Sequence, residues 1–327
     1  MKTTLFRSAV FIAFLALSDA SAETIFGLGM SNRLFRFDSA TPATITLIGS
    51  GTISGLPAGE QLLAIDFRPA ATDSPVGALN ATLYGFGSSN RLYTIDTSTA
   101  MATQVGSAGA FTFNGSSFGI DFNPVADRLR VVSDADENRR LNPDDGSLTA
   151  TDTALAYATG DSGFGVDPNI VGAAYTNNFA GAQFTTLYGI DANRDVLVRQ
   201  GGVSGMPSPN GGQLTTIGPL GANTSNDVGL DISGLTGTAY ASLTTRLGPL
   251  DTSSDLYTID LLTGAATLVG SIGQPAGLGA IITQDIAAPI GLAVPEPRAY
   301  ALFVLSMMTM LNRRGEKLRR ECRANRS

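Results

Sequence analysis

The chain of 327 residues has no histidine, no tryptophan and a single cysteine. Without histidine, Ser-His-Asp and Cys-His catalysis and the ordinary zinc sites are excluded. Without tryptophan, the largest aromatic platform for a sugar ring is missing. The cysteine, Cys322, lies near the C-terminus, so a body separated from that end carries no disulfide. Basic residues are scarce and displaced. Lys2, Arg7 and the eight from Arg298 to Arg326 make up ten of the 21, while the same ends hold three of the 28 acidic residues. Residues 23–297 therefore keep 11 arginines and no lysine against 25 acids, a net charge of −14. That sign opposes nucleic-acid binding, which needs a basic footprint. Cations and neutral polymers such as glycans are the natural partners of such a body.

The displaced charges frame two short apolar runs. At the N-terminus, Lys2 and Arg7 precede Ala9–Leu17, and Ala20-Ser21-Ala22 follows. A charged start, a run too short to span a bilayer and a small-x-small site predict a signal peptide over 1–22, cleaved before Glu23. At the C-terminus, residues 289–298 form a linker containing Val294, Pro295, Glu296 and Pro297. The apolar stretch 299–311 comes next, only about 20 Å long as a helix at about 1.5 Å per residue, and then the basic tail 312–327. This predicts a short transmembrane helix whose basic flank stays in the cytoplasm.

Val-Pro-Glu-Pro, the apolar helix and the basic cluster together resemble the PEP-CTERM sorting signal of Gram-negative bacteria. The resemblance covers about the last tenth of the chain. Two features depart from the pattern: the apolar run is short, and "ECRANRS" extends past the basic cluster. The resemblance implies processing by an exosortase-type membrane enzyme. It also implies transient anchoring in the inner membrane, then residence at the cell surface or in an extracellular matrix, among organisms that make exopolysaccharide.

Between the ends the sequence repeats. "LLAIDFRPA", "SFGIDFNPV", "GFGVDPNIV" and "DVGLDISGL" each place an aspartate after small and branched residues, at Asp66, Asp121, Asp167 and Asp231. Behind each come three further short segments, such as "TLYGFG", "NRLYTID" and "MATQVGS" in the first copy. Asn90 and Asn138 are placed where a tight hairpin needs positive φ, and Asp96 and Asp260 where an Asx turn closes. No segment holds a 3.6-residue period, so the chain reads as all-β. The mature N-terminus is a copy lacking its first strand, and "GLGAIITQDI" is a first strand lacking the other three, with Ile281 where an aspartate is expected. Pairing the two ends predicts a single domain over 23–288: a β-propeller of five four-stranded blades, closed by a blade shared between the termini. An open β-sandwich or β-solenoid is the competing architecture. The "NRLYxID" and "GxDFxP" signatures also resemble a family of exported bacterial proteins defined only as a domain of unknown function, over most of 25–286.

Four groups of residues invite a chemical reading. Asp66, Asp121, Asp167 and Asp231 would approach the axis together and could hold Ca²⁺, which favours several oxygen ligands; alternatively each fixes its own turn. Asp134, Asp136, Asn138 and Asp145 follow an EF-hand-like count, but Arg139 stands where that loop needs glycine. Arg33, Arg91, Arg139 and Arg194 follow the hairpins and would form a stripe for an acidic polysaccharide, or neutralise nearby acids. Asn80, Asn114 and Asn223 head glycosylation sequons that read as turn composition. No catalytic residue is assigned. The inventory favours a non-enzymatic binding or structural module; the alternative is a carboxylate-dependent glycoside hydrolase or lyase acting on extracellular polysaccharide, which needs two carboxyl groups beside a sugar-sized groove.

Overall fold

The structure is a computed structural model that describes residues 22–69, 81–245, 253–273 and 281–291. The leader, Val294 to Pro297 and the segment 299–311 lie outside the described residues. Among those described, no helix is long and apolar enough to cross a membrane.

The described residues fold into five sheets, each built on four antiparallel strands. The first blade contains β1 (Thr24–Gly29), β2 (Arg33–Asp38) and β3 (Ile45–Thr52). The second is β4 (Leu62–Phe67), β5 (Leu83–Gly87), β6 (Arg91–Ile95) and β7 (Ala102–Val105). The third is β8 (Phe118–Asn123), β9 (Arg128–Ser133), β10 (Asn138–Leu141) and β11 (Leu148–Thr151). A short β12 (Ala156–Tyr157) then pairs in parallel with the outer strand of the fourth blade. That blade is β13 (Ile170–Tyr175), β14 (Leu187–Asp191), β15 (Val196–Gln200) and β16 (Gln213–Pro219). The fifth is β17 (Val228–Ile232), β18 (Ala239–Thr244), β19 (Ser254–Ile259) and β20 (Ala266–Ser271).

The last strand, β21 (Thr283–Ala287), returns to the first blade and pairs antiparallel with β1, Leu28 opposite Asp285 and Phe26 opposite Ala287. The innermost strands β4, β8, β13, β17 and β21 touch in that order, and β21 touches β4 again. The ring is closed, and the five-bladed propeller expected from the repeats is what forms. The closing strand takes up only the end of "GLGAIITQDI", from Thr283, and runs on to Ala287. Ile281 precedes β21 and is buried against Ile25 and Ile286, so the expectation that Ile281 occupies an aspartate position is corrected.

Period-two alternation explains why both faces of a blade are buried. Along β5, Leu83 turns toward the first blade while Tyr84 and Phe86 turn toward the third. Across the molecule, the buried apolar side chains of the described residues gather in five clusters, one between each pair of neighbouring blades. A strand flanked on both faces reads as a nearly continuous apolar run, as β5 and β13 do. Turn chemistry follows expectation at Asn90 (φ 58°) and at Asp96, whose Oδ1 accepts from the Ser98 and Thr99 N–H groups. Asp260 does the same for Leu262 and Thr263. Asn138 differs. It lies inside β10, fully buried, and Asp136 takes the positive φ (61°) instead.

Candidate functional site

Three of the four repeated aspartates meet at the axis. Asp66, Asp121 and Asp231 are buried, and carboxylate oxygens from all three lie within 4.8 Å of one another. The close approach needs small residues two positions earlier, where side chains would also point inward. A Cβ on Gly119 would stand 2.7 Å from the Ala173 backbone nitrogen, and one on Gly229 would overlap the backbone of Asp285 and Ile286. Inner strands therefore pack backbone to backbone, and the axis is shut.

Each carboxylate clasps two strands. Asp66 accepts from the N–H of Phe67 in its own strand (2.6 Å) and from that of Phe122 in the next blade (2.7 Å). Asp231 accepts from Ile232 and from Ala288 of β21, both at 2.6 Å. Asp121 accepts from Tyr175 of β13 at 3.1 Å, and its buried Oδ1 has no hydrogen-bond partner among the described residues. A fourth acid, Asp285, completes the set: it accepts from Ile286 (2.9 Å) and from Ile65 of β4 (2.8 Å). Four of the five blade junctions are thus bridged by an aspartate. The fifth, between β13 and β17, has Ala174 at the corresponding position, and Asn169 donates instead to Asn226 across the same two blades (2.9 Å). The repeated aspartate therefore docks one blade on the next, and is more than a fixer of its own turn.

Asp167 is not part of this group. It lies in the loop before β13, exposed, and faces Asp136. Burial and the neighbouring Asp167 charge and hydrogen bond push the Asp136 carboxyl up to about 6. The EF-hand-like count does not converge: Asp134 binds Ser116, Asp145 binds Ser147, and Asn138 binds Thr153 and Pro209 carbonyls. Three of the four hairpin arginines are also occupied. Arg91 pairs with buried Glu60 at 3.1 Å and Arg139 with Glu137 at 2.5 Å, while Arg194 lies 4.7 Å over the Tyr157 ring. Arg33 opens β2. Their partners Glu60 and Glu137 carry no repeat signature, and pattern reading passes over them.

Burial sets the electrostatics of the axis. It pushes the Asp66, Asp121 and Asp285 carboxyls well above the usual range, aided by the Asp231 charge on each. Asp231 is raised by burial to about 7, against the pull of its two N–H donors. Such a group can do two things: share protons, or enclose a cation. The donor set is all oxygen, which suits a hard cation such as Ca²⁺, and Asp121 Oδ1 is the oxygen with no other bond to satisfy. It cannot serve as a hydrolytic pair while sealed from solvent, because sugar must reach both carboxyl groups.

Fold and site together define the class: a five-bladed β-propeller with a sealed acidic axis. Residues 33–282 match DUF4394, a domain of unknown function, and the chain belongs to that family. No curated protein matches it. Among solved structures it is similar to a protein of unknown function from Bacteroides thetaiotaomicron VPI-5482, with 16% identity and a TM-score of 0.47, over 82% of this chain and 65% of that one. A second, from Bacteroides caccae and also of unknown function, shows 12% identity and a TM-score of 0.38, over 82% of this chain and 99% of that one. The Raptor protein of Chaetomium thermophilum shows 13% identity and a TM-score of 0.41, over 77% of this chain and 21% of that one. This chain thus spans just under two thirds of the first of these proteins.

Proposed function

We propose that the protein is an exported, non-enzymatic binding or structural module of the cell surface or extracellular matrix, delivered by its PEP-CTERM tail. The observation that carries the non-enzymatic reading is the use of the converging carboxylates: they are buried and clasp neighbouring blades, so the chemistry-bearing residues serve the scaffold. Export is supported by the ordered charge, apolar run and cleavage site at 1–22, and tail processing by the weak anchor behind Val294–Pro297. The same reading gives the protein an exosortase-type enzyme as processing partner and exopolysaccharide as the matrix it meets.

The intact mass of protein recovered from the extracellular fraction tests this. A mass starting at Glu23 and ending near Pro297 is expected. Recovery of Cys322 in the fully exported form would overturn the sorting step. A Ca²⁺ ion at the axis, held by Asp66, Asp121 and Asp231, is a second feature of this proposal, favoured by the unpartnered Asp121 oxygen.

A further inference from the structure

On a strongly acidic body, one cleft is lined by cations. It holds about 260 Å³ between the third and fourth blades, and its charged lining residues are Arg130 and Arg140. Arg130 is buried beneath it, with Nη1 donating to Asn138 and Asp152 and Nη2 to Asn210, each at 2.6 Å. Arg140 is partly exposed and grips the same Asp152 with Nε and Nη2, both at 2.8 Å. Burial raises the Asp152 carboxyl, but the hydrogen bonds and charges of the two arginines outweigh it and hold it below the usual range. Two guanidinium groups thus face one carboxylate, and a single positive charge is left over.

Two donors in the lining remain unused. Among the described residues, neither Arg140 Nη1 nor Asn210 Nδ2 has a protein acceptor, although the other polar atoms of both side chains are engaged. Beside them are the Ser204 and Ser208 hydroxyls, the Gln183 amide and Phe184, a residue 50% exposed. The loop carrying Ser204 to Asn210 is already shaped. Ser204 sits at φ 55° with its N–H on Thr186 Oγ1, and Gln200 Nε2 donates to the Pro209 carbonyl at 2.8 Å. A preformed loop reduces the ordering cost of binding.

We propose that this cleft binds a carboxylate-bearing sugar residue of an acidic polysaccharide. One surplus charge and a planar guanidinium suit a singly charged, planar carboxylate, received by Arg140 Nη1 and Asn210 Nδ2. A doubly charged phosphate would call for more cation than the cleft supplies. The aromatic face and the hydroxyl and amide groups suit the ring and its hydroxyls, in the mixed lining typical of small-ligand sites.

The test is equilibrium binding of the full chain to oligogalacturonate at physiological ionic strength, against the same oligosaccharide with its carboxyl groups reduced, and against dextran sulfate. The acidic oligosaccharide is expected to bind at least about tenfold more tightly than the reduced one, the worth of one charge-assisted contact. Asn210→Asp keeps the acceptor for Arg130 but replaces the free donor with an acidic oxygen, and should abolish binding. Phe184→Ala, at an exposed site, should weaken binding about fivefold or more with the melting temperature unchanged. The proposal is overturned by absence of binding, by equal binding of the reduced oligosaccharide, by tighter binding of dextran sulfate, or by indifference to both substitutions. It rests on the protein being an exported binding module; that reading fails separately, on the mass of the exported form.

Discussion

The absence of histidine turns the axial aspartates into a readable pH sensor. Between pH 5 and pH 8 no ordinary side chain of this protein titrates, so stability in that window is governed by perturbed carboxyls and the terminal amine. Asp231 is the one whose position is defined, raised by burial from 3.8 to about 7. Because its folded value lies above the unfolded one, the native state holds a proton that the unfolded chain has released. Stability is therefore greatest toward pH 5 and falls as pH rises through about 7. For one such proton the loss from pH 5 to pH 8 is about 2.5 kcal/mol. In a domain of this size that corresponds to a fall in melting temperature of about 5–10 °C.

Asp66, Asp121 and Asp285 are shifted in the same direction, so the single proton of Asp231 sets the lower limit. Asp136, raised to about 6 and less buried, adds a smaller fall, which Asp136→Asn removes. The assay is thermal unfolding by circular dichroism at constant ionic strength with a divalent chelator present. In the Asp136→Asn background, Asp231→Asn should lower stability at pH 5 and flatten the profile. A melting temperature that is constant or rises from pH 5 to pH 8 would refute the reasoning, as would a fall undiminished by Asp231→Asn.

Two further outcomes are expected. Millimolar Ca²⁺ should raise the melting temperature by a few degrees beyond NaCl at matched ionic strength, and more at pH 8 than at pH 6, since the cation must displace protons; equal effects of both salts, or an effect that survives Asp121→Asn, would exclude the axial site. A chain ending at residue 282 lacks β21 and with it the Asp285 bond to Ile65 and the Ala288 bond to Asp231. It exposes the edge of β1 and should lose its cooperative melting transition, and an unchanged transition would refute ring closure by β21.

The blade count was legible because each repeat is buried on both faces and must carry the same apolar alternation, as "TLYGFG" and "TLYGID" do. Closure was legible because the two terminal fragments complement each other. The site was legible at Asp66, Asp121 and Asp231, where Gly or Ala stands two residues before the acid and lets the strands approach. It was misread at Asp167, where "GFGVD" imitates that spacing while the true inner strand, Ile170–Tyr175, begins three residues later and carries no acid. Asp285 was missed for a geometric reason. Ala288 takes the place that Phe122 and Tyr175 hold against their aspartates, so Asp285 enters the axis one pleat earlier than the others. The cleft at Arg130 and Arg140 has no linear signature at all, because its lining comes from strands β9 and β10 and from separate loops of two blades.

Why acids recur at the axis follows from what the junction requires. Each clasp accepts an N–H group from the next blade, and at Asp66, Asp231 and Asp285 also a second from the acid's own strand. A carboxylate has two acceptor oxygens; an asparagine has one, and would turn an amide donor toward the second N–H. Alanine at 174 is tolerated because Asn169 and Asn226 join those blades elsewhere. The charge is thus a by-product of a backbone-docking device. Several acids at once then create a problem that a single turn-fixing aspartate never meets, since like charges sealed together cannot all remain ionised. A proton is the remedy below about pH 7 and a cation the remedy above it, which is why the pH profile and its calcium dependence must change together.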